Sequence, residues 1–205
     1  MSTNGYDAIL FDFDGVLADT EPLHFRCWRE ILTPYGIELD WPTYASTCIG
    51  ISDRLMLAQF CNRASPPVDL DELVARYPAK RDLFRGLITR ELPFFEGCRE
   101  FLDSLKPYRL AVVSSSGRLE IEPALQCAGL LDRFETLVCG GDVAKHKPAP
   151  DPYLLAADRL GVRRPLVVED SAAGVESARA AGFDVIRVGS PAEVPPAVRA
   201  RLRNA

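Results

Sequence analysis

Short apolar runs, each cut off by polar or glycine positions, punctuate this chain. Ala8-Ile9-Leu10-Phe11 stops at Asp12-Phe13-Asp14-Gly15, and residues 110–113 stop at Ser114-Ser115-Ser116-Gly117. Residues 136–139 stop at Gly140-Gly141, residues 166–168 at Glu169-Asp170-Ser171, and residues 185–188 at Gly189. A run that is apolar at successive positions has no face left for water. It suits a strand covered on both sides, as in a parallel sheet. Helical spacing fills the gaps between runs. Residues 99–105 precede the second run and 119–130 follow it. A helix opens at Asp151-Pro152, read as an N-cap followed by a first-turn proline, and extends to Leu160. Residues 171–181 are alanine-rich and closed by Gly182, and residues 194–202 predict a C-terminal helix. This alternation predicts an α/β fold with a doubly wound, parallel, Rossmann-like sheet and right-handed crossovers.

One stretch breaks the rhythm. Residues 19–92 offer no strand pattern, only helical patterns interrupted by Gly36, Pro42, Pro66-Pro67 and Pro78. Leu23, Cys27, Trp28, Ile31, Leu32 and Tyr35 fall at helical spacing, as do Leu83, Phe84, Leu87 and Ile88. A helical block of this size between adjacent α/β elements predicts a small cap domain over 19–92, inserted into a core made of 1–18 and 93–205.

Composition narrows the classes. The chain has 205 residues, 47% of them apolar and 26% charged, which excludes disordered and fibrous classes. Its net charge of −5 argues against nucleic acid or anionic membrane as a partner, since both select a basic face. Six scattered cysteines without a Cys-x-x-Cys pair read as buried thiols, and two histidines give little support to a zinc site. The N-terminus lacks a basic stretch followed by an apolar one, and no run approaches the ~20 residues of a membrane span. The expectation is a reduced, cytoplasmic protein.

Function in an open α/β sheet gathers at the carboxyl ends of the strands. There this sequence places Asp12 and Asp14, then Ser114, then Glu169 and Asp170, with Lys147 beyond the third strand. Carboxylates converging from two strands repel one another unless a cation sits among them, and an all-oxygen donor set favours Mg²⁺. One carboxylate could then attack phosphorus, and another, two residues on, could protonate the leaving oxygen. Taken singly, the pieces are unremarkable: Asp-x-Asp-Gly is usually a turn, Ser114 an N-cap, Lys147 a solvated charge. Their order along the chain gives them weight.

The sequence resembles the haloacid dehalogenase superfamily, in particular its phosphatases with a helical cap after the first strand, the branch of β-phosphoglucomutase and sugar-phosphate phosphatases. Residues 11–21 carry the first motif, Val113-Ser114-Ser115-Ser116 the second, Lys147-Pro148 the third and Val168-Glu169-Asp170 the fourth. The resemblance implies Asp12 as nucleophile, Asp14 as general acid and base, and Ser114 and Lys147 as phosphoryl-binding groups. It implies Mg²⁺ held by Asp12, the Asp14 carbonyl and Asp170, with Glu169 alongside. Dehalogenases lack an acid two residues after the nucleophile because halide leaves without a proton; Asp14 therefore points to phosphate esters.

Beyond the four motifs, Ser115 and Ser116 join the expected substrate-binding set. The cap adds His24, Gly50, Arg54 and Lys80, on likeness to β-phosphoglucomutase. Arg54 lies one position off the family's arginine, where this chain has Asp53, and Arg118 stands where the family has Asn. From its spacing, His24 reads equally as a packed histidine beside Trp28 and Ile31, and Lys80 as a snorkelling residue beside Phe84. Three functions follow as expectations: a Mg²⁺-dependent phosphatase of small phosphorylated metabolites working through an aspartyl-phosphate, a phosphomutase, and a non-catalytic binder of phosphorylated ligands. The expected partner is a small phosphorylated metabolite, and the expected state a monomer or weak homodimer.

Overall fold

Every residue of β1 (Ala8–Phe11) is buried, so this strand needs a covering layer on each face. The computed structural model describes residues 5–49 and 53–204, which leaves Gly50 outside the described residues. After β1 come the helices α1 (Glu21–Leu32), α2 (Trp41–Thr47), α3 (Asp53–Phe60), α4 (Leu70–Val74) and α5 (Tyr77–Glu91). Alternation then begins with α6 (Cys98–Ser104), β2 (Arg109–Val113), α7 (Arg118–Cys127) and β3 (Thr136–Val138). It continues through α8 (Asp151–Leu160), β4 (Pro165–Glu169), α9 (Ala172–Ala180), β5 (Asp184–Arg187) and α10 (Val194–Arg203).

The chain divides into two compact units, residues 1–19 with 92–205, and residues 20–91. In the first, the five strands form one parallel sheet in the order β3-β2-β1-β4-β5. Strand order reverses at β1, which makes the carboxyl end of β1 and β4 the switch point where such sheets bind ligands. Alternate side chains serve opposite layers. Ala8 and Leu10 join Val113, Val167, Tyr153, Ala156 and Ala178 in one core. Phe11 points the other way and meets the edges of Phe101 and Phe134 at ring-centroid distances of 6.3 and 6.5 Å.

Two helix boundaries differ from expectation. Asp151 is the first residue of α8 and Pro150 is its N-cap. Proline lacks an N–H that the first turn could not bond anyway, so it is tolerated at several first-turn positions and does not fix the register. Helix α7 ends at Cys127 because Gly129 turns left-handed (φ +66°), and Leu130 then leads into a 3₁₀ turn.

The second unit packs α1 and α5 around its own core, in which Trp28, Leu32, Leu57, Phe60 and Leu73 are fully buried or nearly so. Cys27, Cys48, Cys98 and Cys139 are buried as expected, while Cys127 is exposed. Among the described residues, no helix is long and apolar enough to cross a membrane.

Candidate active site

The switch point of the sheet gathers residues that lie far apart in sequence. Asp12 leaves β1 while its N–H is still bonded to Val168 O of β4 (3.0 Å), and Ser114 leaves β2 with its N–H on Val138 O of β3 (2.9 Å). These ladder bonds fix where both side chains begin. Beyond Asp12 the chain folds into a tight turn: the N–H groups of Leu17 and Ala18 bond Phe13 O, and Gly15 N bonds Ala18 O. Gly15 sits at φ +72°, and a Cβ there would lie 2.1 Å from Asp170 Oδ2. Only glycine supplies both that conformation and that clearance.

Lys147 reaches the centre from the loop after β3. Its ammonium donates to Asp12 Oδ1 at 2.8 Å, to Val113 O at 2.9 Å and to Glu169 Oε1 at 2.6 Å, which uses all three N–H bonds. Glu169, the last residue of β4, is wholly buried. Its Oε1 also accepts from the Tyr153 hydroxyl at 2.8 Å, and its Oε2 accepts from Asp170 N, Ser171 N and Ser171 Oγ. Five donors meet a carboxylate with about four lone-pair sites, so Glu169 is already fully engaged by the protein. Asp14 Oδ2 accepts from Ser116 Oγ at 2.7 Å and from Ser114 Oγ at 3.4 Å, while Ser114 Oγ in turn accepts Ser116 N. Ser115 is exposed. Ser114 is not a cap: Gly117 precedes α7, with its N–H on Glu120.

Four carboxylates thus face one ammonium, an excess of negative charge that the protonation behaviour reflects. Burial pushes the Asp12 carboxyl well above the usual range, Lys147 opposes the rise, and Glu169 and Asp14 add to it. Asp170 is pushed up to about 6, by burial first and then by the Glu169 charge. Burial also disfavours ionised Glu169 and Lys147, but charge attraction outweighs it: Lys147 holds Glu169 below its ordinary value, and Asp12 together with Glu169 holds Lys147 above its own. Carboxylate oxygens of Asp12, Glu169 and Asp170 lie within 4.8 Å of one another. The oxygens of Asp12 and Asp170, in a cluster with more acids than its single ammonium balances, fit Mg²⁺.

The residues expected from the cap lie in the other unit. Lys80 is buried; its Nζ is 2.8 Å from His24 Nδ1 and lies over the rings of Trp28 and Phe84. His24 stacks on Phe84 with centroids 4.2 Å apart. Arg54 is largely exposed and pairs with Asp71 at 3.2 Å. Arg118, in the core unit, is tied to Leu137 O and Asp142.

Two residues escaped the sequence reading. Tyr153 lies on the apolar stripe of α8 with Ala156, Ala157 and Leu160, where it passes for packing; its signal is a hydroxyl that must find a partner once buried. Gly174, in the first turn of α9, would place a Cβ 1.7 Å from Glu169 Oε1. A glycine inside an otherwise alanine-rich helix is the corresponding signal.

A parallel sheet with paired acids at its switch point and a helical insert after β1 defines a class of hydrolase. The model of the haloacid dehalogenase-like hydrolases matches residues 9–188, and the chain belongs to that family. It is 34% identical over 189 residues to fructose-1-phosphate phosphatase YqaB of Escherichia coli (strain K12), covering 89% of this chain and 96% of that protein. It is 33% identical over 183 residues to a phosphorylated carbohydrates phosphatase of Thermotoga maritima, covering 88% and 83%. Among solved structures, a CbbY variant from Rhodobacter sphaeroides in complex with xylulose-(1,5)bisphosphate superposes with a TM-score of 0.73 at 28% identity, covering 89% of this chain and 85% of that one. These relatives place the chain with the phosphoric monoester hydrolases of the family.

Proposed function

We propose that this chain is a Mg²⁺-dependent phosphatase of small phosphorylated metabolites, sugar phosphates foremost, and that it works through a phosphoenzyme on Asp12. The observation that carries this reading is the pairing of Asp12, bonded to Lys147, with Asp14, a second acid two residues on that is oriented by Ser116. Asp12 attacks phosphorus, the ester P–O bond breaks, and Asp14 gives its proton to the departing oxygen. Asp14, now ionised, takes a proton from water as that water attacks the aspartyl-phosphate. Phosphate leaves and Asp12 is regenerated. Lys147 and Ser114 hold the phosphoryl oxygens as charge moves onto them. Asp12, the Asp14 carbonyl and Asp170 would hold Mg²⁺, which when bound neutralises charge between nucleophile and phosphoryl group. Glu169, with both oxygens occupied, serves mainly by holding Lys147.

Substrate choice is assigned to the insert, where the buried Lys80–His24 pair, the exposed Arg54 and Gly50 are the candidates, with Ser115 and Ser116 contributing from the core. Lys80 is a buried ammonium beside His24, a cation suited to an anionic substrate. In a phosphomutase, Lys80 with a cap arginine would hold a second phosphate, and His24 would help gate the acid/base. Release of inorganic phosphate from a panel of phosphorylated sugars, polyols and small acids tests the main reading. Incubation with β-glucose 1-phosphate separates the two: glucose 6-phosphate in excess over free phosphate would establish the mutase. Asp12→Asn should abolish turnover and leave the melting temperature equal or higher in the absence of metal, since burial already disfavours the Asp12 charge.

A further inference from the structure

Tyr153 is a buried ionisable group at this centre to which the proposed reaction gives no task. It is fully enclosed within the core between β1, β2 and α9. Packing alone would be served by phenylalanine, yet the hydroxyl donates to Glu169 Oε1 at 2.8 Å. That oxygen is the one gripped by Lys147 at 2.6 Å, and the Lys147 Nζ stands 5.1 Å from the centroid of the Tyr153 ring. One side chain therefore touches both members of the ion pair.

The two carboxylates compete for Lys147, and the contact to Glu169 is the shorter by 0.2 Å (2.6 against 2.8). Hydrogen bonds to ionised oxygens are strong, and each donor that shares an oxygen lowers its attraction for the others. The Tyr153 hydroxyl is such a donor. Its ring adds a second restraint, because an ammonium near an aromatic face is attracted to it and held in place. We infer that Tyr153 is a positioning residue for phosphoryl transfer: it occupies part of Glu169 Oε1 and flanks the Lys147 ammonium, keeping that ammonium on Asp12 rather than on Glu169 alone. Without the hydroxyl, Oε1 keeps Lys147 as its remaining donor, the Lys147–Glu169 pair tightens, and an oxygen of a phosphoryl group arriving at Asp12 loses part of its positive neighbour. The inference rests on the phosphatase reading, because it takes Lys147 as the group that meets phosphate.

The test uses the full chain with Mg²⁺, p-nitrophenyl phosphate as substrate and inorganic phosphate as competitive inhibitor. Tyr153→Phe keeps the ring and should lower kcat and weaken phosphate inhibition, each about three- to ten-fold, a fraction of the worth of a hydrogen bond to a charged group because its loss reaches phosphate only through Lys147. Tyr153→Leu, without ring or hydroxyl, should show larger losses of both and a lower melting temperature. Because burial could make either variant fold poorly, 3-fluorotyrosine installed at position 153 supplies an opposite perturbation. It is nearly the same size but a stronger donor, and it should tighten phosphate inhibition. A Tyr153→Phe enzyme with unchanged kcat and phosphate inhibition, or with only a lower melting temperature, overturns the positioning role, as does weaker inhibition in the fluorinated protein. Asp12→Asn run alongside separates the two readings. If it is inactive and Tyr153→Phe behaves as wild type, the Tyr153 inference alone falls; if it still turns over, the phosphoenzyme reading falls first.

Discussion

Replacing Lys147 by methionine keeps the length of the side chain and deletes its charge. In the native centre the Lys147 side chain is 6% exposed, against 10% for Asp12 and 0% for Glu169, so this is a buried ion triad rather than a surface pair. Removing the cation leaves two buried carboxylates without it, beside the further charges of Asp14 and Asp170. Breaking a buried pair from one side typically costs about 3–5 kcal/mol, and the variant should lose that much at pH 7.5 in metal-free buffer. The pH dependence gives a second reading of the same cause. In the native protein the Lys147 contribution is whole below its unfolded pKa, near 10.5, and fades as pH climbs through the higher folded value. The Glu169 contribution is present above its unfolded value, near 4.5, and fades as pH falls through the lower folded one. Both are complete at neutral pH. In the variant, the unpaired carboxylates take up protons that the unfolded chain does not, so the folded state binds more protons and stability rises on acidification. Urea denaturation at pH 8.0 and 5.5 reads this directly: the deficit against wild type should shrink at pH 5.5 by roughly 1.4 kcal/mol for each unit by which those carboxylate pKa values rise above 5.5. A variant within 1 kcal/mol of wild type at pH 8.0, or a deficit indifferent to pH, would refute the picture of Lys147 as the counter-charge of the centre.

Other consequences are open to simpler tests. Gly174→Ala drives a methyl into Glu169 and should destabilise the protein by about 1–3 kcal/mol in urea, whereas Gly141→Ala, with nothing within 4 Å of its Cβ, should not. Mg²⁺ should raise the melting temperature at pH 7.5 and do so much less at pH 5.5, because Asp170, pushed up to about 6, holds a proton there that the metal must displace; an equal shift at both pH values would count against Asp170 as a ligand. EDTA should abolish phosphate release, with recovery on adding Mg²⁺ back.

The centre of the sheet was legible because β1, β2 and β4 are buried on both faces: such strands leave unbroken apolar runs, and these three stand where the runs stand. Helix ends were less so. Pro152 marked a first turn without saying which residue opened it, and the left-handed Gly129 stopped α7 before the apolar pattern ended. At the centre, the motifs supplied Lys147, Ser114 and Ser116 along with the acids, but not which group bonds which: Lys147 meets Asp12 across 135 residues, and Ser116 meets Asp14 across 102. Tyr153 and Gly174 act through Glu169, and their apolar or small neighbours in sequence conceal it. Local pattern reports burial well; it is silent on which long-range polar contacts burial will demand.

The stem of the insert has a consequence of its own. Asp19 N bonds Pro93 O at 2.8 Å, and Ala18 bridges to Phe94, so the chain leaves the sheet unit and returns to it at one clasped point. Residues 20–91 are, to the sheet, a single loop whose ends are already closed. Because loop-closure entropy grows only slowly with length, their size and content weigh little on the fold that carries the acids. The insert can therefore be exchanged as a cassette, with new helices spliced in at the same clasp, while the strand register that sets Asp12 stays untouched.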